Sequence, residues 1–326
     1  MKYLILLFIT LFPTAVFAIE HEPEPVKEDA FLVQKQINTW RTEQVTDPRV
    51  RVYACQAVRL SAEWFVTSAH CVYTACRNKD CTVQIDLVDA ELSASARVYH
   101  STANQSVFIY DGFFPGQNRI SGVDAALIRM HPEKTDFSFT DNTTGERIDR
   151  KTFEQKLAYY PESKAQWKAY GVRLLDSALA KTSLLKTGIV VPKVSNGVIS
   201  YLQNGSDVFF VEDMRYFISP SFGVRAGNSG GGVFTRQGDL VGIVSAMMYA
   251  KDGSASFTDE QGNKKLTLQN ARAYFFFTGF NSSTLGFIRN RISGVRTISL
   301  IPLFATPVDK NFDAIIKQIE GTPISF

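Results

Sequence analysis

The chain has 326 residues, of which 45% are hydrophobic and 21% charged, with a formal net charge of +3. That balance is the balance of a folded globule, long enough for two ordinary domains, and disorder is not its default. A small net charge with no basic block interleaved with aromatics gives no basis for nucleic-acid binding.

In chain order, Lys2 precedes the apolar run Tyr3 to Phe12, and Val16-Phe17-Ala18 supplies a small-residue cleavage pattern, so residues 1–18 read as a secretory signal. Pro13 and the charged Glu20-His21-Glu22 argue against a membrane anchor. No later apolar stretch approaches the roughly 20 residues that span a bilayer. A secreted or periplasmic protein, off the membrane once the signal is cut, is expected. Residues 19–47 are charged and proline-bearing and read as an extension or pro-segment.

From residue 48 to 135, short β-branched and aromatic runs recur at Val50–Val58, Trp64–Val66, Thr82–Val88, Ala96–Tyr99, Ser106–Tyr110 and Ala125–Ile128, predicting a first β-domain. The four cysteines fall here, and export turns an even count toward disulfides. Four cysteines allow three pairings, and spacing only hints at Cys55 with Cys71, at the ends of two apolar runs, and Cys76 with Cys81, flanking a polar loop. That is the expected framework. The first bridge would stabilise by about 3 kcal/mol on the chain-entropy account. A zinc site using these cysteines and His70 is the rival, and it suits a cytosolic chain better. No metal or cofactor is expected.

Residues 136–163 turn polar and read as a linker; 164–306 form a second strand-rich half with an inserted excursion near 251–290. In residues 307–321, Phe312, Ile315, Ile316 and Ile319 recur at helical spacing before Gly321, predicting a C-terminal helix.

The chemistry centres on Gly227-Asn228-Ser229-Gly230-Gly231. Glycines let a tight loop push a side chain outward while turning amides toward an oxyanion, although the pattern alone also fits a polar turn. A serine hydroxyl needs a general base, and that base needs a partner to fix its tautomer. Of the four histidines, His21, His100 and His131 lie in polar or charged surroundings, while His70 follows an apolar run in Val66-Thr67-Ser68-Ala69-His70-Cys71. Asp124 stands at the mouth of the run Ala125–Ile128, where it could be held against a histidine or be an ordinary strand-end charge. The α/β-hydrolases run serine, acid, histidine, and no histidine follows His131, so that fold is excluded for Ser229.

The order His70, Asp124, Ser229 resembles the trypsin/chymotrypsin-like serine proteases. Thr67-Ser68-Ala69-His70-Cys71 is similar to their histidine motif, Asp124-Ala125-Ala126-Leu127-Ile128 to their aspartate strand, and Gly227–Gly231 to their serine loop, over roughly Val50 to Glu320. Cys55 also stands where the family has the partner of the cysteine after its histidine. The resemblance implies two antiparallel six-stranded β-barrels with the site between them and a C-terminal helix. It implies Ser229 as nucleophile, His70 as base, Asp124 as orienting acid, the Gly227 and Ser229 amides as oxyanion hole, and protein or peptide substrates. Ser245 would open the substrate-pairing strand, and Gly223 and Met247 would fall at the specificity pocket, favouring small or medium apolar residues. Asn228 replaces the aspartate that pairs with a new N-terminus in the family's zymogens, so activity is expected without that insertion. A catalytically silent binding protein on the same scaffold, or an esterase with the same triad, are the alternatives. Asn104, Asn142, Asn204 and Asn281 each begin a glycosylation-acceptor triplet.

Overall fold

A computed structural model describes residues 34–41, 53–77, 79–89, 91–111, 113, 123–195, 198–204, 209–211, 216–220, 224, 227–248, 254–258, 265–269, 274–292 and 297–298. The signal segment and the expected C-terminal helix lie outside them.

The first sheet is built from β1 (Gln34–Arg41), β2 (Tyr53–Arg59), β3 (Trp64–Thr67), β4 (Cys81–Asp89), β5 (Leu92–His100), β6 (Val107–Ile109), β7 (Ala126–Arg129), β8 (Thr135–Asp141) and β9 (Glu146–Ile148), with α1 (Ala69–Cys76) between β3 and β4. Its antiparallel path runs β6-β7-β3-β2-β1-β4-β5-β8-β9. β5 shows why these runs are strands: Leu92, Ala94, Ala96, Val98 and His100 are buried while the residues between them are wetter. Both expected disulfides are present, Cys55–Cys71 joining β2 to α1 and Cys76–Cys81 joining α1 to β4.

Two segments depart from the sequence reading. Residues 34–41, inside the expected extension, are the strand between β2 and β4, paired along both edges from Gln34↔Val58 to Arg41↔Cys81. Removing them would open the sheet, so any processing that spares it cuts upstream of Gln34. The supposed linker 136–163 instead holds β8, β9, α2 (Arg150–Leu157) and the start of α3 (Pro161–Lys168). Aromatic packing fixes them: the Phe153 ring lies 4.6 Å from Phe139 and 5.1 Å from Trp167. Two buried cations meet the end of α3. Lys35 Nζ donates to Gln166 O at 2.9 Å, and Arg59 Nη1 donates to Trp167 O at 2.5 Å, where the helix dipole favours positive charge. Burial lowers the Arg59 pKa to about 10.

After β10 (Leu174–Leu175) and α4 (Ser177–Thr187), the second sheet takes β11 (Ile189–Ser195), β12 (Val198–Asn204), β13 (Phe209–Val211), β14 (Tyr216–Pro220), β15 (Gly232–Phe234) and β16 (Leu240–Met248). Beyond β17 (Ser254–Thr258) and β18 (Lys265–Gln269) come β19 (Tyr274–Gly279), α5 (Ser282–Arg289) and β20 (Thr297–Ile298). Its path is β12-β11-β15-β16-β19-β14-β13, with β10 joining β16 and β20 in parallel. Within the expected excursion 251–290, only the β17–β18 hairpin forms a separate sheet. β19 is internal, and Phe275, Phe276 and Phe277 are buried there.

The fold is thus mostly antiparallel β, in two sheets of nine strands each among the described residues, and neither path closes on itself as a six-stranded barrel would. A shared core joins them: Val58, Val66 and Leu127 of the first sheet pack with Val190, Phe234, Leu240 and Ile243 of the second. Truncating one of the fully buried phenylalanines, such as Phe65 or Phe234, typically costs about 3–5 kcal/mol.

His100, read as sitting in polar surroundings, is instead buried at 3% exposure. Its Nδ1 accepts the backbone N–H groups of Ser106 and Val107, each at 3.2 Å. That nitrogen holds no proton while it accepts. Burial lowers the His100 pKa, with Asp80 opposing. The unfolded chain therefore binds a proton in mild acid that the folded chain refuses, and stability rises with pH. The contribution is whole above the ordinary histidine pKa of about 6.5 and is lost as pH falls toward the depressed folded value. His100→Asn, which keeps an acceptor near Nδ1, is expected to flatten the fall in melting temperature between about pH 7 and 5.5; an undiminished fall in the variant would refute the assignment.

Candidate active site

Asp124 sits on the short approach to β7 between buried Val123 and Ala125, and only 1% of it is exposed. A carboxylate so placed must be bonded to be tolerated. His70, in the first turn of α1, donates its backbone N–H to Oδ1 at 2.9 Å and its ring Nδ1–H to Oδ2 at 2.7 Å. The second sheet supplies the rest: Ser245 Oγ donates to Oδ2 at 2.5 Å, and Asp124 N donates to Thr278 Oγ1 at 3.3 Å. With Nδ1–H given to the carboxylate, His70 Nε2 keeps its lone pair, and the ring is partly open to solvent with 12% of its side chain exposed.

Ser229 stands on the loop between β14 and β15, in a frame made by backbone. Gln56 N on β2 donates to Ser229 O at 2.7 Å, Gly230 N donates to Val244 O at 2.7 Å, and Gly231 N donates to Asn228 O at 3.0 Å. The Ser68 hydroxyl, at the N-cap of α1, leaves its own helix uncapped and donates to Val244 O at 2.7 Å. Cys71 Sγ lies 3.8 Å from both His70 Nε2 and Ser229 O, so the serine's backbone and the free ring nitrogen flank one sulfur. No hydrogen bond joins His70 Nε2 to the Ser229 hydroxyl among the described residues. In the free state of such sites that contact is often long. Among the described residues, the amides of Gly227 and Ser229 donate to no protein group. Gly227 has φ +94°, a conformation that glycine takes freely.

The substrate residues expected from the sequence fare differently. Gly223 lies outside the described residues. Met247 is on β16 opposite Phe275. Ser245 is 2% exposed and its hydroxyl turns inward to Asp124, because the β16–β19 register shifts between Val244 and Ala246 and the bulge re-aims its side chain. Past Val244, β16 pairs with β19 alone among the described residues, which leaves the opposite edge without a strand. Gln56, Ser68 and Thr278 were not found by sequence reasoning. Ser68 carried a weak signal, a hydroxyl two residues before the histidine, and Thr278 carried none. Cys55 and Cys71, with His70, place one ligand atom each within 4.8 Å of one another, but the two sulfurs are bonded to each other and neither is a thiolate.

Residues 31–259 match the family model described as Trypsin. No curated protein sequence matches the chain. Among solved structures, HL collagenase aligns with a TM-score of 0.45 at 13% identity, covering 82% of this chain and 96% of that one. A scabies mite inactivated protease paralogue aligns with a TM-score of 0.40 at 12% identity, covering 83% of this chain and 99% of the other.

The tightest constraint in the serine loop is Gly230, which has φ +80°; a Cβ there would stand 2.1 Å from Gln56 O and 2.2 Å from Thr67 Oγ1. Thr67 Oγ1 itself donates to Gln56 O at 2.7 Å, so neither oxygen is free to retreat. Gly230→Ala is therefore expected to destabilise by about 3 kcal/mol or more. Chemical denaturation checks it, and a midpoint equal to that of the unmodified chain would contradict the packing described.

Proposed function

The chain belongs to the trypsin family, and we propose that it is an exported serine endopeptidase working through Ser229, His70 and Asp124. The observation that carries the reading is the His70–Asp124 pair: a carboxylate buried at 1% exposure holds Nδ1 at 2.7 Å and leaves Nε2 free to take a proton. In the proposed reaction Ser229 Oγ attacks the scissile carbonyl while His70 Nε2 accepts its proton. His70 then returns the proton to the leaving amine, and water releases the acyl group by the same exchange. Asp124 fixes the tautomer and stabilises the imidazolium. The Gly227 and Ser229 amides serve as the oxyanion hole, where one donor is typically worth about 3 kcal/mol of transition-state stabilisation. Ser245 acts twice, its hydroxyl steadying Asp124 and its backbone opening the unpaired edge of β16 to an extended peptide.

Export is supported by the two disulfides and the leading apolar segment. No described helix is long and apolar enough to cross a membrane. Asn228 is buried, at 6% exposure, and neutral, so it offers an ammonium no carboxylate to pair with, and activity without a cleavage-made N-terminus belongs to the same proposal. So does a preference for small or medium apolar residues, since Gly223, which the family resemblance aligns with the specificity position, carries no charge.

A fluorophosphonate is expected to label the form that retains residue 19, and to label neither Ser229→Ala nor His70→Ala. Turnover of a peptide substrate should fall about a million-fold in Ser229→Ala and about ten-thousand-fold in Asp124→Asn. A correctly folded mature chain that takes no label would favour a silent scaffold, and labelling that begins only after a cut would remove the claim about Asn228. Profiling against a peptide library tests specificity separately; cleavage dominated by Arg or Lys overturns the apolar preference.

A further inference from the structure

The one group of three metal-ligating side chains found among the described residues joins His70, which the proposed chemistry uses, to two sulfurs, which it does not. Cys55, His70 and Cys71 bring two sulfurs and a ring nitrogen within 4.8 Å of one another, and His70 Nε2 is 3.8 Å from Cys71 Sγ. In a tetrahedral zinc site with Zn–S about 2.3 Å and Zn–N about 2.0 Å, neighbouring ligand atoms stand about 3.5–3.8 Å apart. The nitrogen is already at such a separation. It also has the support that ligating histidines require, because its other ring N–H is held by a carboxylate, Asp124 Oδ2, at 2.7 Å. Only the sulfurs are unready, since each is occupied by the other.

We propose that reduction of Cys55–Cys71 converts this cluster into a site for one soft divalent cation such as zinc, with Cys55 Sγ, Cys71 Sγ and His70 Nε2 as ligands and a fourth position left to water. A dithiol reductant supplies the two electrons: the S–S bond breaks, two thiols form, and the reductant becomes its own disulfide. The cation then displaces the two thiol protons, and two thiolates balance its charge. Once unbonded, the sulfurs separate to non-bonded contact, about the length of a ligand edge in that tetrahedron. Both cysteines are buried, at 2% and 0%, while His70 is partly exposed, so the cation enters from the imidazole side. Cys76 and Cys81 belong to no such cluster among the described residues.

The bound cation occupies the lone pair that accepts the serine proton. This consequence alone rests on His70 being the base: the reduced, metal-loaded chain is silent, and a low-molecular-weight disulfide, which takes up the two electrons and leaves as two thiols, re-forms the Cys55–Cys71 bond, expels the metal and frees the base.

The test uses the full chain carrying Ser229→Ala, reduced with a phosphine, freed of reductant without air and titrated with Co²⁺. One equivalent is expected to give thiolate-to-cobalt charge transfer with tetrahedral d–d bands, both removed by Zn²⁺ and both absent from the oxidised chain. Cys76→Ser/Cys81→Ser should keep the signal, and Cys55→Ser/Cys71→Ser should lose it. Asp124→Asn should weaken binding about 10–100-fold while the bands remain, as expected for a residue that positions the ligand, and His70→Ala should weaken it at least as much. A folded reduced chain with no charge transfer overturns the proposal. So does a band that survives Cys55→Ser/Cys71→Ser, or loss of the fold on reduction that Co²⁺ does not reverse. None of these outcomes touches serine labelling of the oxidised chain, so the two readings fail separately.

Discussion

Everything near the site depends on one buried carboxylate. An ionised acid taken out of water without partners is costly, and Asp124 is made tolerable by donors from α1 and from the second sheet: a helix-start amide, an imidazole and a hydroxyl from a strand bulge. Its own amide is spent on Thr278. These bonds set where α1 begins, which way the His70 ring faces and how β16 bends. A charge on the approach to the first sheet that needs the second to be satisfied also specifies how they meet, and the mixed core of Val66, Leu127, Phe234 and Ile243 fills the space that this meeting leaves.

Around that charge, the serine loop is held by main chain more than by side chains. Ser229 and Gly230 each exchange one backbone bond with a different strand, β2 and β16, and Ser68 gives up capping its own helix to reach the same carbonyl as Gly230. Such a frame tolerates little at its contact points, where an added methyl meets backbone oxygen, and much at positions facing outward. The position of Ser229 is therefore a property of the backbone and of one residue without a side chain.

The contact between His70 and Asp124 was legible because the proposed chemistry demands particular residue types in a particular order, and the absence of histidine after His131 removed the competing architecture for Ser229. Strands with apolar alternation were legible too, as β5 shows. β1 was not: Gln34-Lys35-Gln36-Ile37-Asn38-Thr39-Trp40-Arg41 has little apolar content and is a strand because both of its edges are paired. β8 hid behind polar neighbours, its Phe139 meaningful only beside Phe153 and Trp167. The inward turn of Ser245 came from a register shift between two strands, and no local pattern encodes that. What sequence reading missed is what long-range pairing decides.

Lys35 and its acceptor at Gln166 are 131 residues apart along the chain. During synthesis the strand that will lie inside the first sheet is made before the carbonyl that receives its ammonium, which exists only after α3 has been added. The bond therefore closes only once both segments have been made, and it ties a strand inside the first sheet to the end of a helix that follows all the other strands of that sheet. Contacts of such sequence separation carry a large loop-closure cost, and this one is met by burying a cation against the carbonyl end of a helix.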